Sequence, residues 1–543
     1  MKILLKYKFL LTIIVIAAIL RLWQLGVVPP SPDWDETALG YNAYSILKTG
    51  RDEYGTWFPL TIRSFDDYKP PLYVYLTIPS VGLFGLNTPA VRLPSVIMGI
   101  VAVLGTYFLA KELLDQREKE DKYIPYLASL FLAISPWHIQ FSRIAFEANI
   151  GVTLNILGVV FFLKGLRSRQ FLWLSAFIFG LSLYAYHSER IFMPLLVLIL
   201  AISHWKNLMK MRQATIVAII VGMFTAAPLI PVFLNQNTLM RLRGTSSLSD
   251  QTGLLARTVK KLDDDKIFHN YVAMIFDNRR LVWAKTLVDG YLSHYSFKWL
   301  FLNGDNARHH APDMGVLYFV ELPFLLWGMY RVGRQGGIMA KVLFGWFLIA
   351  PVAASPTTEL PHGIRTLVFL PTFQIFTAVG VSEFFSWIKD KKFWFARLGA
   401  FLCIGLFTFN IAYYLHMYFG HTNREYSKFW QYGYQQAVAY TQKNKDKYKK
   451  IVVSTKLEQP HMFFLYYLKY DPARYLKEGG TASGGFAEVR NKFDIYEFRP
   501  IHWEKEIADG STLYIGLPGE IPVAPLQTIY YLDGTEAMRI ADK

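Results

Sequence analysis

The chain has 543 residues, 53% of them hydrophobic and only 18% charged, with a formal net charge of +16. Soluble globular chains carry roughly 25% charged residues, so this composition excludes an ordinary soluble domain and points to a polytopic membrane protein with one sizeable aqueous portion. The Lys and Arg fall mostly in short clusters between apolar segments, which marks a cytoplasmic face rather than a nucleic-acid site, and a single cysteine, Cys403, excludes an intramolecular disulfide.

The opening "MKILLKYKFLLTIIVIAAIL" has a basic start and a short apolar core, but no small-x-small cleavage site follows. The chain continues "RLWQLGVVPP", with Arg21 and Trp23 suited to an interface. It reads as an uncleaved first span. Apolar segments at 9–28, 89–110, 124–141, 148–165, 171–187, 190–205, 214–234, 314–330, 341–355, 364–387 and 394–415 predict about eleven transmembrane helices.

With the N-terminus cytoplasmic, the connections 111–122, 164–170, 204–213, 331–341 and 389–397 fall inside, and each is basic or rich in basic residues. Residues 29–88, 142–148, 187–190, 235–313, 356–363 and everything after 416 then lie outside. The inner connections are short and the outer ones long and chemically varied. Function is therefore expected on the extracytoplasmic face of a multi-pass cell-membrane protein.

In the first outer loop, "DETALGYNAYSILKTG" predicts a short helix with an acidic first turn, stopped by Gly50. Its apolar and tyrosine face suits it to lie along the membrane surface. The tail differs in composition: "KKIVVST", "KFDIYEF" and "STLYIGL" read as strands, "REYSKFWQYGYQQAVAYTQKN" and "PHMFFLYYLKY" as helices. Two domains are expected, a membrane domain over 1–415 and an extracytoplasmic α/β domain over 416–543. No G-x-G-x-x-G occurs in the tail, which argues against a nucleotide fold.

Five polar clusters carry candidate chemistry, and the charge rule, applied without regard to them, puts all five outside. The first joins Asp33, Asp35 and Glu36 with "SFDDYKPPLYVY" (64–75). An ionised carboxylate at a helix start can take a proton from an acceptor hydroxyl, and Lys69, stiffened by Pro70 and Pro71, can neutralise a lipid phosphate. The same residues read singly are helix caps and a lysine reaching for headgroups; Asp33 has no assigned role. The second is "SRIAFEANIG" (142–151), where Glu147 either pairs with Arg143 or helps hold an acceptor. The third, "AYHSERIF" (185–192), brings His187, Glu189 and Arg190 and reads as a solvated turn. The fourth is "SHYSFKWLFLNGDNARHHAPDMGVLY" (293–318), with Asp305, Arg308, His309 and His310 around a Gly-containing turn: Arg308 and His309 suit phosphate contacts, whereas the neighbouring histidines His309 and His310 lack spaced partners for a metal. The fifth, "PTTELPHGIRTLVFLP" (356–371), offers Glu359, His362 and Arg365, where Arg365 either neutralises a leaving phosphate or anchors its helix to headgroups.

"DWDETALGYNAYSILKTG" followed by "DDYKPPLYVYL" resembles the first outer loop of GT-C-fold, polyprenyl-phosphate-dependent glycosyltransferases. The nearest match is the bacterial branch related to protein O-mannosyltransferases and the aminoarabinose transferases that modify lipid A. The resemblance spans roughly residues 10–415 and includes "RLP", "SRIAFEANIG" and the "HGIR" turn. It implies a GT-C-like membrane fold and inverting transfer of a sugar from a polyprenyl-phosphate carrier on the extracytoplasmic face. By resemblance Asp35 is the catalytic acid residue and Glu36 its neighbour, Lys69 the phosphate-contacting lysine, Glu147 a second acid, and Arg365 a basic residue of a later loop. Asp67, with Glu147, falls where an acceptor or second acidic site is expected, and Tyr68 stands where the family carries an acid or histidine.

The expected partners are a polyprenyl-phosphate-linked sugar, a lipid, glycan or protein acceptor, and membrane lipids, with no nucleic acid. No cofactor is expected, and a divalent metal is not supported by these spacings. The alternatives are a lipid-linked-sugar flippase or transporter, and an oligosaccharide ligase. A transporter would favour half-molecule symmetry and ionisable residues near the bilayer midplane, whereas these charges gather at one face.

Overall fold

Every apolar segment read as a span contains a helix in the computed structural model, which describes residues 8–65, 67–114, 122–234, 244, 246–249, 251–482 and 491–543. Asp66 and parts of the connections 111–122 and 235–313 lie outside the described residues. Among those described, five helices are long and apolar enough to cross a membrane: Thr88–Leu114, Ala148–Gly165, Arg212–Val232, Leu367–Lys389 and Phe393–Tyr426. The others are shorter for local reasons. Segment 124–141 divides into Ile124–Ile134 and Pro136–Phe141, because Ser135 is extended (ψ 124°) ahead of proline. An apolar helix that the sequence reading left inside the first outer loop, Leu72–Phe84, starts directly after Pro70-Pro71. Its length of about 20 Å is less than a bilayer core of about 30 Å.

The chain divides into two units. The first comprises residues 1–101, 138–150 and 408–543. Within it, the helix Trp34–Thr49 forms where expected and ends at Gly50, whose φ of 70° closes the last turn. A short antiparallel hairpin follows, β1 (Ile62–Ser64) and β2 (Asp67–Lys69), with Ile62 opposite Lys69.

The tail of this unit forms a six-stranded mixed sheet from β3 (Lys450–Val453), β4 (Lys492–Phe493), β5 (Tyr496–Phe498), β6 (Thr512–Gly516), β7 (Gln527–Tyr530) and β8 (Glu536–Asp542). Their order is β4-β5-β3-β6-β8-β7, with β3 parallel to β5 and β6 and the remaining pairs antiparallel. "KFDIYEF" is thus a hairpin rather than one strand, since Asp494 at φ 50° turns the chain between β4 and β5. Strands β7 and β8 escaped the sequence reading because "QTIYYLDGTEAMRIAD" mixes charge with only brief apolar alternation.

Helices Pro460–Leu468 and Pro472–Lys477 of the tail pack on the first-loop helix Trp34–Thr49. The Tyr41 hydroxyl donates to the Tyr470 carbonyl (3.2 Å) and Ser31 donates to that of Trp430. The first-loop helix is therefore buried by protein and does not lie open on a membrane surface. Its tyrosines read as an interfacial face because the segment that covers them is distant in sequence.

The second unit comprises residues 102–137 and 151–407. Helices Glu321–Gln335 and Thr372–Lys389 pack closely here. A Cβ at Gly328 would strike the Phe376 carbonyl, and one at Gly380 that of Phe324, so this crossing requires glycine on both helices. In contrast, Arg212–Val232 turns large apolar side chains outward, with Phe224 81% exposed, as a lipid-facing helix would. Glu189, read as part of a solvated turn, is fully buried and accepts a hydrogen bond from Asn155 (2.6 Å).

Candidate active site

The site in the first unit starts from a helix cap. Asp33 holds extended backbone ahead of Trp34–Thr49, and its carboxylate accepts from the Glu36 N–H at 2.9 Å. Glu36 reaches back so that its Oε2 accepts from the Asp33 N–H at 3.3 Å. This reciprocal capping box gives Asp33 the role the sequence reading could not.

Glu36 is occupied on both oxygens. Oε1 accepts from Arg92 Nε (2.8 Å) and from the Ala145 N–H (2.8 Å), and Oε2 accepts from Arg92 Nη2 (2.8 Å). Both side chains of this pair are 0% exposed. The rest of the Arg92 guanidinium donates to the carbonyls of Leu25, Pro29 and Ser31. Sequence reasoning noted "RLP" but gave Arg92 no role. The available signal was physical: an arginine inside an apolar span needs a partner.

Asp35, one residue before Glu36, faces elsewhere. Its Oδ1 accepts from Lys69 Nζ, delivered by β2 and fixed by the two prolines that follow. The lysine side chain is 7% exposed and that of Asp35 30%. Burial acts against the Lys69 ammonium, but Asp35, Glu147 and Asp67 outweigh it and hold its pKa above the ordinary lysine value. Four predicted site residues, Asp35, Lys69, Glu147 and Asp67, therefore share one electrostatic environment. Asp67 also accepts from the Tyr68 N–H (2.8 Å).

Arg143, weighed as a partner for Glu147, instead donates to the carbonyls of Leu20, Arg21, Gln24 and Val28 and to the Tyr418 hydroxyl. Arg21 is fully buried, not interfacial, and meets His138 Nδ1 at 2.7 Å. Trp23 remains 61% exposed.

Nearby in the same unit, Glu53 joins the first loop to the tail. It is 1% exposed and accepts from Asn42 Nδ2 (3.0 Å) and from the Thr481 hydroxyl (2.6 Å). Burial pushes its carboxyl up to about 7, against the pull of those two hydrogen bonds.

The remaining predicted residues lie in the second unit. Asp305 Oδ2 is 2.7 Å from His309 Nδ1 and accepts from the Gly363 N–H at 2.6 Å. Burial works to raise the Asp305 carboxyl, yet His309, Gly363 and His362 together hold it well below the usual carboxylate range. His309, expected at a phosphate, is 4% exposed and turned toward Asp305. The rings of His309 and His362 stand 4.9 Å apart. Burial drives the His362 imidazole well down, helped by His309 and Arg365, and burial likewise lowers His294 to about 4. His294 is then neutral; its Nδ1 donates to the Gly290 carbonyl (2.8 Å) and its Nε2 accepts from the His362 N–H (3.3 Å). Arg365 donates to the Thr357 hydroxyl (2.7 Å) and the Thr358 carbonyl (2.6 Å). Arg308 is half-buried in the turn before His309.

The family model of dolichyl-phosphate-mannose-protein mannosyltransferases matches residues 68–231. No curated protein matches the chain in sequence. Among solved structures, ArnT from Cupriavidus metallidurans, bound to undecaprenyl phosphate, has a TM-score of 0.54 at 11% identity and covers 98% of each chain. The archaeal oligosaccharyltransferase AglB from Archaeoglobus fulgidus, in complex with an inhibitory peptide and a dolichol-phosphate, has a TM-score of 0.51 at 14% identity. That match covers 86% of this chain and 64% of AglB, so the chain spans less than two thirds of the archaeal protein. At these identities the likeness is one of fold, and it bears out the resemblance read in the sequence: the chain has the helical GT-C fold. Because the ArnT match covers 98% of this chain, the shared fold extends past residue 415 into the tail that the sequence resemblance left out.

Proposed function

We propose that this chain is an integral-membrane glycosyltransferase that moves a sugar from a polyprenyl-phosphate carrier to an acceptor on the extracytoplasmic face, with inversion. The acceptor is a hydroxyl or phosphate of a lipid, cell-envelope glycan or protein. The observation that carries this reading is the Lys69–Asp35 pair, a buried ammonium bound to a carboxylate that solvent can still reach.

Asp35 is the base. It takes the acceptor proton as the acceptor oxygen attacks the anomeric carbon, and the carrier leaves as a phosphate anion. Such a leaving group needs cations rather than a general acid. Lys69 supplies one, exchanging its contact with Asp35 for the carrier phosphate and freeing the carboxylate for the acceptor. Glu36 takes no proton in this scheme. With both oxygens hydrogen-bonded in a dry pocket, it holds the helix start that aims Asp35. Glu147 and Asp67 maintain the charge on Lys69 and flank the acceptor. Arg308 and Arg365 are proposed phosphate contacts on the second unit. Residues 1–415 form the catalytic membrane domain, with the N-terminus cytoplasmic, and 416–543 an extracytoplasmic domain that selects the acceptor. The packing of the tail on the Asp35 helix supports that last role.

Purified protein incubated with radiolabelled polyprenyl-phosphate sugars should consume at least one of them. Consumption of nucleotide sugars alone would overturn the donor assignment.

A further inference from the structure

Two outer turns of the second unit meet at three side chains whose joint arrangement neither the sequence spacing nor the proposed transfer explains. Asp305 and His309 come from the turn before Glu321–Gln335, and His362 from the turn before Thr372–Lys389. One potential ligand atom from each lies within 4.8 Å of the other two. Asp305 Oδ1 and His362 Nδ1 are both buried with no hydrogen-bond partner.

That pattern is costly without an occupant. A buried carboxylate oxygen or imidazole nitrogen left unpaired costs about 1–3 kcal/mol in lost hydration. Here two such atoms lie in one cluster. A water can satisfy acceptors, but the surrounding fold is organised around the carboxylate itself. Gly363 donates to Asp305 Oδ2, and a Cβ at Gly363 would stand 3.2 Å from Oδ1 and 3.5 Å from the His309 Cβ. Glycine thus lets the later turn close onto the first. His294, through its contact with the His362 N–H, fixes the backbone of that turn.

We propose that Asp305, His309 and His362 bind one divalent transition-metal ion, with Zn2+ as the fitting class, and that the ion fastens the 304–310 turn to the 356–366 turn. Two imidazoles and one carboxylate form a nitrogen-rich donor set suited to zinc, with a fourth position left for water. Metal–ligand bonds of about 2.0–2.2 Å place tetrahedral ligands about 3.4 Å apart. Side-chain rotations of about an ångström therefore close the present arrangement. The metal would set the position of the turns carrying Arg308 and Arg365. His310 lies outside this group of three, and its Nδ1 is directed at the Ala311 carbonyl (2.7 Å).

The test uses full-length protein in detergent, stripped with chelator and titrated with Co2+ and then Zn2+. The expected result is a visible d–d band that saturates at one Co2+ per chain, is displaced by Zn2+, and accompanies a rise in Tm. His309→Ala and His362→Gln should each weaken binding by at least about 100-fold, since outer-shell partners alone account for 10–100-fold. His310→Ala should bind as the unaltered chain does. A cobalt band that is absent from the unaltered protein, or that persists in His362→Gln at the original affinity, would overturn the site. The cobalt titration of the unaltered chain needs no variant to fold, and it reads metal binding independently of glycosyl transfer.

Discussion

Lys69 reaches Asp35 from the buried side of the pair: its own side chain is 7% exposed, while the carboxylate it holds is 30% exposed. The asymmetry matters chemically. Burial works against the charge of a lysine enclosed here, but Asp35, Glu147 and Asp67 sustain it, and the acid it holds remains open to solvent. In the proposed reaction this openness lets the pair exchange partners, which the sealed Glu36–Arg92 pair, 0% exposed on both sides, does not allow.

Asp35→Asn should lower the transfer rate by about 100-fold to 10,000-fold, the range for loss of a general base. Its thermal transition should fall only modestly, because Asn keeps an oxygen facing Lys69 and Glu147 and Asp67 still balance the buried ammonium. Turnover of polyprenyl-phosphate sugar measured beside a melting curve tests both halves. Retained turnover would remove Asp35 from the reaction.

Lys69→Met should reduce kcat/KM for the donor by about 10-fold to 100-fold, as a charge-assisted hydrogen bond of about 1.5–3 kcal/mol is lost. The acid limb of the pH–rate profile should also move to higher pH, since removing a neighbouring cation favours the protonated form of the base. An unchanged donor KM together with an unchanged pH profile would mean that Lys69 only supports the hairpin.

Arg92→Met leaves the Glu36 charge uncompensated in a dry pocket, which costs about 3–5 kcal/mol. The expected outcome is loss of the monodisperse folded peak in size-exclusion chromatography. Combining it with Glu36→Gln should recover part of that loss, because the orphaned charge is then absent. Equal damage in the single and double variants would argue against the pair as the source.

Asp33→Ala removes the cap acceptor and should cost about 1 kcal/mol. Asp33→Asn keeps an oxygen facing the Glu36 N–H and should cost much less. Thermal melts of the two variants distinguish a hydrogen-bonding cap from a required negative charge.

Glu53 gives a pH dependence with a definite sign. Its carboxyl rises from about 4.3 in the unfolded chain to about 7 in the fold. The folded state therefore holds the proton more tightly. Stability falls as pH rises across that interval, by on the order of 3 kcal/mol in total, and levels off above it. Glu53→Gln should flatten the Tm–pH curve between about pH 4 and about pH 7. Parallel curves for the two proteins would show that the carboxyl does not set this dependence.

Much of this was readable from residue order alone. Apolar runs marked the helices, because burial in lipid or protein demands uninterrupted apolar length. The "DET" opening and Gly50 marked the first-loop helix, because caps are local. Lys69 and Asp35 could be assigned to one site because they share a loop, but their direct pairing could not. What escaped depended on distant segments. Arg92 gained its meaning only from Glu36, and His362 only from Asp305 and His309 in another loop. The tyrosines of the first-loop helix resembled an interfacial face until the tail was seen to cover them. Leu72–Phe84 was missed because prolines at 70, 71 and 79 disguised an apolar helix as loop.

The first unit is assembled from the beginning, a short middle piece and the end of the chain. This gives biogenesis a fixed order. While a ribosome is still making residues 408–543, the helix bearing Asp35 lacks the tail helices that bury it, and Glu53 lacks Thr481. Contacts at such sequence separation close late and slowly. A nascent chain therefore carries the Asp35 helix uncovered until residues 460–477 have been made.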